Sequence, residues 1–416
     1  MWNKIKNLIY CFLVKSQKYT GTDNIYIAKY GSYLMAGNII SYVAAFLLSV
    51  AFARLLPKET YGEYRYILSI MSILAIPSLE GINMAITQAV AKGFEGTFLS
   101  GFKTKLKWSL LGSIASIGVA VYFWIQKNAD FTLSFLIVAI FLPLFKSGEL
   151  YQFYLNGKKL FGKRVTYTTI IQILSTSAMI LALFLTKRLI VLILVYLFCY
   201  SILRIFFLFW TTKKIKPNEK NDPETIKYGK HLSFINVIGL ISQQIDNILL
   251  FHFVGPAKLA IYSFAALPIE YVRTPFQIIQ EISLPKLSVR TEAEIKKTLP
   301  QKLLTSILFI VLGIITYVVI APYFFKIFYP EYLESVFYSR MLAFTLFVFP
   351  MSMMALSLQA KMKTKELYKI SIFLPIIKII SLVVLTPLYG IMGVVIAILL
   401  SQVFQFFITW YFFKKI

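Results

Sequence analysis

The sequence predicts an all-α polytopic membrane protein with about twelve transmembrane helices in two six-helix bundles. The first reason is composition: 58% of the 416 residues are hydrophobic and only 15% are charged, whereas soluble domains are nearer ~45–50% and ~25%. The second is length, because twelve spans of ~20 apolar residues would use ~240 residues. The third is that the apolar runs are continuous, which excludes the alternating pattern of an outer-membrane barrel.

Twelve apolar segments can be marked, each separated from the next by a charged or turn-rich stretch. Each is long enough to cross a hydrocarbon core as a helix. They cover residues 33–55, 66–91, 107–126, 131–155, 165–186, 189–211, 231–254, 259–284, 303–325, 336–360, 370–386 and 391–413.

The distribution of basic residues predicts the topology. The chain carries 43 Lys and Arg against 18 Asp and Glu, a formal charge of +25. In a soluble protein this excess would indicate nucleic acid. Here 30 of the 43 lie at the termini and in the connections after even-numbered spans, nine lie in the other connections, and four lie inside spans. Because cytoplasmic loops collect Lys and Arg, both termini are expected in the cytoplasm, and no nucleic-acid partner is expected.

The longest polar stretch divides the spans six and six. This division predicts an interfacial or cytoplasmic N-terminal segment 1–32, a first six-helix bundle 33–211, a cytoplasmic linker 212–230 and a second six-helix bundle 231–413. Two halves in the same orientation form a parallel repeat, which is typical of transporters with a pathway between the halves. A shift of 198 residues needs no gap between residues 29 and 79, and it aligns Lys29-Tyr30-Gly31 with Lys227-Tyr228-Gly229, Asn38 with Asn236, Tyr64 with Tyr262 and Pro77 with Pro275.

Several kinds of chemistry are not expected. Two cysteines, Cys11 and Cys199, and two histidines, His231 and His252, do not suggest a disulfide framework or a metal site. The phosphate-binding pattern Gly-x-x-x-x-Gly-Lys-Ser/Thr is not present in the sequence. We therefore expect no cofactor. Energy would come from an ion gradient, of H⁺ or Na⁺, or from the substrate gradient.

Three stretches resemble a known transporter family: Ala53–Tyr66 (ARLLPKETYGEYRY), Glu80–Lys92 (EGINMAITQAVAK) and Val254–Ser263 (VGPAKLAIYS). The first two are similar to the first helical hairpin, and the third to the seventh-to-eighth connection, of polysaccharide flippases. These flippases belong to the multidrug/oligosaccharidyl-lipid/polysaccharide exporter (MOP) superfamily. Chain length, span number and the division into two halves match this family as well.

The resemblance implies a flippase for a lipid-linked oligosaccharide, which is a transporter and not an enzyme. The O-antigen, capsule, teichuronic and exopolysaccharide branches all fit. Such proteins move polyprenyl-diphosphate-linked repeat units from the cytoplasmic to the outer leaflet of the bacterial inner membrane. The resemblance also implies a MATE-like, V-shaped pair of bundles that works by alternating access. Its implied partners are membrane lipids, a polysaccharide polymerase and chain-length machinery.

Charged side chains within spans are the candidate site residues, because a charge at the bilayer centre costs roughly 2.5–3.5 kcal/mol on insertion scales. Lys146 and Glu149 are spaced i, i+3, as are Glu270 and Arg273, so each pair shares a helix face. One interpretation is that each pair neutralises itself. In the other, Lys146, Arg273 and Lys378 bind the lipid diphosphate, and Glu149 and Glu270 exchange with it.

Two further carboxylates lie inside spans. Glu80 follows a mid-span proline, so it either faces a central cavity or caps a kink. Asp246 stands among Gln243, Gln244 and Asn247, whose amides can hydrogen-bond sugar hydroxyls. Asp246 is also a candidate to carry a coupling H⁺ or Na⁺. The alternative for this group is a polar contact between helices.

Three other basic residues are assigned to topology. Arg65 is counted at the outer end of the second span, and Lys105 in the connection before the third. Arg204 is seven residues from the cytoplasmic end of the sixth span, so we expect it to snorkel toward the headgroups.

Two other functions compete with a flippase. A cation-coupled multidrug antiporter of the same superfamily would show carboxylates without cavity cations, so Lys146, Arg273 and Lys378 favour an anionic substrate. A membrane polysaccharide polymerase or glycosyltransferase would usually need a long extracytoplasmic loop. The longest outside connection here, near residues 326–335, has only about ten residues.

Overall fold

The computed structural model describes residues 24–289 and 291–414, which form helices and connecting turns without a strand. Residues 1–23 of the predicted N-terminal segment lie outside the described residues. The helices are α1 (Asn24–Leu55), α2 (Lys58–Leu74), α3 (Gly81–Ala91), α4 (Thr97–Ile125), α5 (Ala129–Gly148), α6 (Leu150–Gly157), α7 (Phe161–Leu185), α8 (Leu189–Lys214), α9 (Pro223–Ile235), α10 (Val237–Val254), α11 (Pro256–Val289), α12 (Glu292–Phe328), α13 (Ser335–Ala343), α14 (Val348–Ala360) and α15 (Thr364–Lys414).

The predicted all-α membrane architecture is confirmed, and the number of twelve spans is approximate. Each predicted span overlaps a helix. Within the described residues, eight helical segments are long and apolar enough to cross a membrane, and the bent pair α2–α3 makes a ninth if it counts as one span. The count differs because the second predicted span is broken between α2 and α3, because the described apolar part of the first, Ile39–Leu55, is shorter than a full span, and because α11 is not among the segments that are both long and apolar enough. In addition, the last two predicted spans form one stretch, α15, which bends at Gly390 with a φ of 57°.

The break between α2 and α3 determines where Glu80 lies. Pro77 lies in a 3-10 turn, Ile76–Ser78. Because proline has no backbone N–H, it cannot donate the hydrogen bond that would continue the helix. Leu79 then adopts a left-handed φ of 59°, and the helix axis turns by 45°. Glu80 is the residue before α3, and its side chain makes no capping hydrogen bond. The carboxylate is therefore directed elsewhere than to the helix end.

Helices pack within each half of the chain and between the halves. In the first half α4 packs on α5, α5 on α8, and α1 on α7. In the second half α10 and α14 pack on α15, and α11 packs on α13. Contacts between the halves come from α2, which packs on α10 and α11, and from α3, which packs on α9.

The two halves therefore meet in two zones. In the distal zone, α2 lies against the start of α11 so closely that a Cβ atom on Gly62 would be 1.9 Å from the carbonyl oxygen of Pro256. In the linker zone, α3 lies against α9, and the Gly81 N–H donates to Ser233 Oγ at 2.9 Å. Glycine at position 62 is required by this approach, since any side chain would separate the helices. The polar residues described below lie between the two zones.

The non-helical connection between the halves covers residues 215–222, so α9 begins within the predicted linker 212–230. This connection is bound to the turn before α4 by reciprocal hydrogen bonds. The Glu95 backbone N–H donates to Asn218 Oδ1 at 3.1 Å, and the Asn218 backbone N–H donates to Glu95 Oε2 at 3.4 Å. Lys158 Nζ donates to Glu95 Oε1 at 2.6 Å. Glu95 thus fixes the linker to the first half.

The docking of this linker should depend on pH. Burial raises the pKa of Glu95, but hydrogen bonds from Lys158 and Tyr154 outweigh it and hold the pKa below its ordinary value of 4.5. A carboxyl with a lowered folded pKa contributes stability above its unfolded pKa, and that contribution is lost as pH falls through the folded value. We expect the protection of residues 215–222 against hydrogen exchange, taken relative to the intrinsic amide rate at each pH, to be high above about pH 4.5 and to fall below it.

The matched variants for this experiment are Glu95→Gln and Glu224→Gln. Glu95→Gln should make the linker exchange rapidly already at neutral pH, because a neutral amide loses the charge-assisted bond from Lys158. Glu224 is exposed, and its replacement should change nothing. Protection of the linker that is the same at pH 3 and pH 7 would contradict this role of Glu95.

Candidate functional site

A polar cavity of about 570 Å³ lies among the helices of the second half, and Arg65 on α2 is the one residue of the first half that lines it. Its walls come from α2, α10, α11 and α15, with a contribution from the residues around α13 and α14. Ionic and amide side chains dominate it: Arg65, Gln243, Gln244, Asp246, Asn247, Glu270, Arg273, Lys378, Gln402 and Gln405. A pocket of this volume is within the range of small-molecule sites, ~300–1,000 Å³.

Seven of the ten sequence-predicted site residues line this cavity. They are Gln243, Gln244, Asp246, Asn247, Glu270, Arg273 and Lys378. The other three, Glu80, Lys146 and Glu149, lie outside its wall. The predicted site is therefore divided between two places in the fold.

Asp246 is buried, and both of its carboxylate oxygens accept hydrogen bonds. Tyr262 donates its hydroxyl proton to Oδ2 at 2.8 Å, and the Asn247 backbone N–H donates to Oδ1 at 2.9 Å. Asn247 in turn donates from Nδ2 to Ser69 Oγ at 2.9 Å, a contact between α10 and α2. Asp246 and Asn247 thus form part of a polar contact between helices, which was the alternative interpretation given for this group in the sequence analysis.

Lys378 reaches the cavity from the part of α15 that precedes the bend at Gly390. Its Nζ donates to the carbonyl oxygen of Ser242 at 2.6 Å. An ammonium group has three N–H bonds, so this single bond orients the side chain and leaves protons available to a ligand. Arg273, half-buried on α11, lines the same cavity.

Arg65 is a cavity residue that the sequence interpretation missed. It lies on α2, and the charges of Glu270 and Asp246 attract it. Its Nε is buried without a hydrogen-bond partner among the described residues. The expectation that Arg65 only marks the end of a span is wrong, because α2 begins at Lys58 and carries Arg65 two turns into the helix.

The ionic side chains of the cavity carry a net positive charge. Three cations, Arg65, Arg273 and Lys378, face two carboxylates, Asp246 and Glu270, which gives 3 − 2 = +1 when all five are charged. Buried charges are stable only when they are paired or hydrogen-bonded. One cation in excess, together with an unpartnered guanidinium N–H, therefore makes the cavity suited to an anionic group.

The three other predicted residues take part in a buried ionic network within the first half. Lys105 is fully buried, and its Nζ donates to Glu149 Oε1 at 3.1 Å and to Asn83 Oδ1 at 2.7 Å. Lys146 Nζ donates to Glu80 Oε1 at 2.5 Å. Lys146 and Glu149 thus each pair with a residue outside their own span, so the interpretation in which the two neutralise each other is wrong.

The positions predicted for Arg204 and Lys105 from the topology are also wrong. Arg204 does not snorkel: its Nη1 donates to the Phe145 carbonyl at 2.8 Å and to Glu149 Oε2 at 3.5 Å, and its guanidinium lies 4.1 Å from the centroid of the Phe145 ring. An acidic partner inside the bundle makes the inward position favourable. Lys105 is inside rather than in a loop because α4 begins at Thr97, ten residues earlier than predicted.

Solved structures of low sequence identity share this fold. An inward-facing multidrug resistance MATE family transporter of the MOP superfamily is 11% identical, with a TM-score of 0.61 over 90% of this chain and 95% of that one. The lipid II flippase MurJ, in an inward closed conformation, is 15% identical, with a TM-score of 0.63 over 92% and 87%. A MOP superfamily transporter from Pyrococcus furiosus is 12% identical, with a TM-score of 0.58 over 93% and 95%. No curated protein sequence matches the chain.

The fold of this chain is therefore the one shared by these solved MOP superfamily proteins. The family itself is shown by the sequence. The chain belongs to the polysaccharide biosynthesis protein family, whose model matches residues 27–274, more than half of its length. The resemblance inferred from the three sequence stretches is thereby confirmed.

Proposed function

We propose that this protein is a flippase for a polyprenyl-diphosphate-linked oligosaccharide. It takes the repeat unit of a polysaccharide from the cytoplasmic leaflet to the outer leaflet of a bacterial inner membrane. The observation that supports this most strongly is the convergence of Arg65, from the first half, with Arg273 and Lys378, from the second, on one polar cavity. Both termini lie in the cytoplasm, and the product is passed to a polysaccharide polymerase with its chain-length machinery.

The diphosphate is the part of the substrate that most needs the cavity. Taking an ionised group out of water into hydrocarbon without a partner has a prohibitive cost. Guanidinium groups bind phosphate oxygens through two parallel N–H bonds, and the cavity offers two of them, Arg65 and Arg273. Lys378 adds a point charge. When the diphosphate binds, it thus replaces the carboxylates of Glu270 and Asp246 as the negative charge that faces these cations.

The oligosaccharide is bound by amides. Gln243 and Gln244 line the cavity and have no side-chain hydrogen bond within the described residues. Asn247 has one amide proton committed to Ser69, so it contributes its remaining donor and acceptor. Amides pair well with sugar hydroxyls because both carry a donor and acceptors.

Coupling to an ion gradient is assigned to Asp246. It is the buried carboxylate of the cavity, and the hydroxyl of Tyr262 holds it in place. Binding of H⁺ or Na⁺ there would change the cavity charge by one unit. One charge moved through 100 mV supplies ~2.3 kcal/mol, enough to bias an alternating-access cycle.

The proposed function is tested in cells that lack this chain. Complete lipid-linked repeat units should accumulate in the cytoplasmic leaflet, and surface polysaccharide should be lost. Unchanged glycolipid and surface polysaccharide, with increased drug sensitivity, would instead indicate a multidrug antiporter. Outward-facing single repeat units would indicate a polymerase.

Lys378→Met should reduce export without abolishing it. The change removes one of three cavity cations but preserves the length and the apolar stem of the side chain. We expect about a tenfold lower rate, which corresponds to ~1.4 kcal/mol. Export is measured as the rate at which surface polysaccharide reappears after induction. Lys369→Met, an exposed site on the same helix, is the control and should leave this rate unchanged. Equal rates for the two variants would remove Lys378 from the site.

A further inference from the structure

A second cavity of about 360 Å³ adjoins the first on the side of the linker zone. It lies between the break that precedes α3 and the helices α9 and α10. Gln243 lines both cavities, so a ligand bound in the larger cavity can extend directly into the smaller one.

The chemistry of this second cavity differs from that of the first. Among the described residues that form its wall, Glu80 is the one charged side chain and none is a cation. Lys146 binds Glu80 Oε1 from behind, which orients the carboxylate and leaves Oε2 without a partner in the described part of the chain. The amides of Asn236 and Gln243 are exposed and likewise make no side-chain hydrogen bond to any described residue.

The remaining wall is apolar apart from Ser233, whose hydroxyl is bonded to the backbone of Gly81 and Gly229. Ile76, Met84, Leu232 and Leu240 surround the polar groups. A carboxylate and two amides set among apolar side chains match a sugar, which presents hydroxyl groups at its edge and C–H groups on its faces. A phosphate does not match this wall, because it would meet the Glu80 carboxylate, and the cation beside that carboxylate, Lys146, is already bound to it.

We infer that the cavity lined by Glu80, Asn236 and Gln243 is a subsite that selects the sugars of the repeat unit. This inference rests on the proposed function and adds an orientation to it. The diphosphate occupies the larger cavity, and the oligosaccharide extends from it past Gln243 toward the linker zone. Glu80 accepts hydrogen bonds from sugar hydroxyls, and these bonds are strong because the acceptor is charged.

The chain offers a variant that fills this subsite without disturbing its walls. Gly239 lines the cavity, and a Cβ atom placed on it would meet nothing within 4 Å. Gly239→Leu therefore occupies the space, and leucine also favours a helix more than glycine does. Gly118 on α4 is equally free of neighbours, exposed and remote from the cavity, so Gly118→Leu is the matched control.

The test compares two probes on the purified full-length protein. One is farnesyl diphosphate, a lipid diphosphate without a sugar. The other is the lipid-linked repeat unit extracted from the producing cells. Gly239→Leu and Glu80→Gln should each weaken binding of the repeat unit by about tenfold, as expected for a lost set of hydrogen bonds. Farnesyl diphosphate should bind these variants and Gly118→Leu as it binds the wild type.

Each other outcome overturns the assignment. If the wild type binds both probes and Gly239→Leu binds the repeat unit normally, the subsite is wrong while the proposed function stands. If Gly239→Leu weakens both probes equally, the cavity does not distinguish sugar from diphosphate. A wild type that binds neither probe rejects the proposed function, and the subsite with it.

Discussion

Replacing Arg273 with glutamate should abolish export of the polysaccharide while the protein still inserts into the membrane. The substitution changes the ionic balance of the larger cavity from three cations and two carboxylates to two cations and three carboxylates, or from +1 to −1. A diphosphate would then be repelled where it must be desolvated. Surface polysaccharide is the measurement, with the amount of protein in the membrane determined in parallel.

Two further variants serve as controls for the Arg273→Glu result. Arg188→Glu reverses a charge at an exposed position between α7 and α8, so it should export normally. Arg273→Lys keeps the charge and loses the bidentate geometry of a guanidinium, so it should retain partial activity. Wild-type export by Arg273→Glu would remove Arg273 from the site.

Replacing Glu149 with leucine should destabilise the protein by about 3–5 kcal/mol, as breaking a buried ion pair does. Glu149 accepts hydrogen bonds from Lys105, which is 0% exposed, and from Arg204, which is 16% exposed. Asn83 Nδ2 donates to the same carboxylate at 3.3 Å. Removing it would leave two cations desolvated within the first half. The measurement is thermal unfolding in detergent.

The matched control is Glu224→Leu. Glu224 pairs with Lys227 at 3.8 Å on the protein surface, where both side chains are more than three quarters exposed. Exposed pairs contribute ~0–1 kcal/mol, so its loss should hardly change the unfolding temperature. Lys105→Met in the Glu149→Leu background should recover part of the stability, because it removes one uncompensated charge. A Glu149→Leu protein as stable as its control would show that the network is not structural.

The helices and most of the site were predictable because both depend on local sequence. Long apolar runs specify membrane helices whatever their neighbours are. Gln243, Gln244, Asp246 and Asn247 stand together in such a run, and all of them reach the cavity. Polar side chains clustered in an apolar membrane helix must face the interior of the protein. Their positions in the sequence were therefore sufficient to predict that they line the cavity.

The remaining placements depend on the packing between helices. The spacing of Lys146 and Glu149 shows that they share a face, but not which partners face them; these are Glu80 for the lysine and Lys105 for the glutamate. Arg65 and Lys105 were assigned to span ends because predicted helix boundaries are uncertain by several residues. Both helices in fact begin earlier than the apolar runs, and this alone moves the two cations inside.

The most direct test of the central claim is translocation by the purified protein. The wild type and Arg273→Glu are reconstituted into liposomes that contain the lipid-linked repeat unit, and a sugar-cleaving enzyme added outside reports which leaflet holds it. We expect repeat units to become accessible much faster with the wild type than with protein-free liposomes, and not with Arg273→Glu. Equal accessibility in all three preparations would contradict the account of this protein as a flippase.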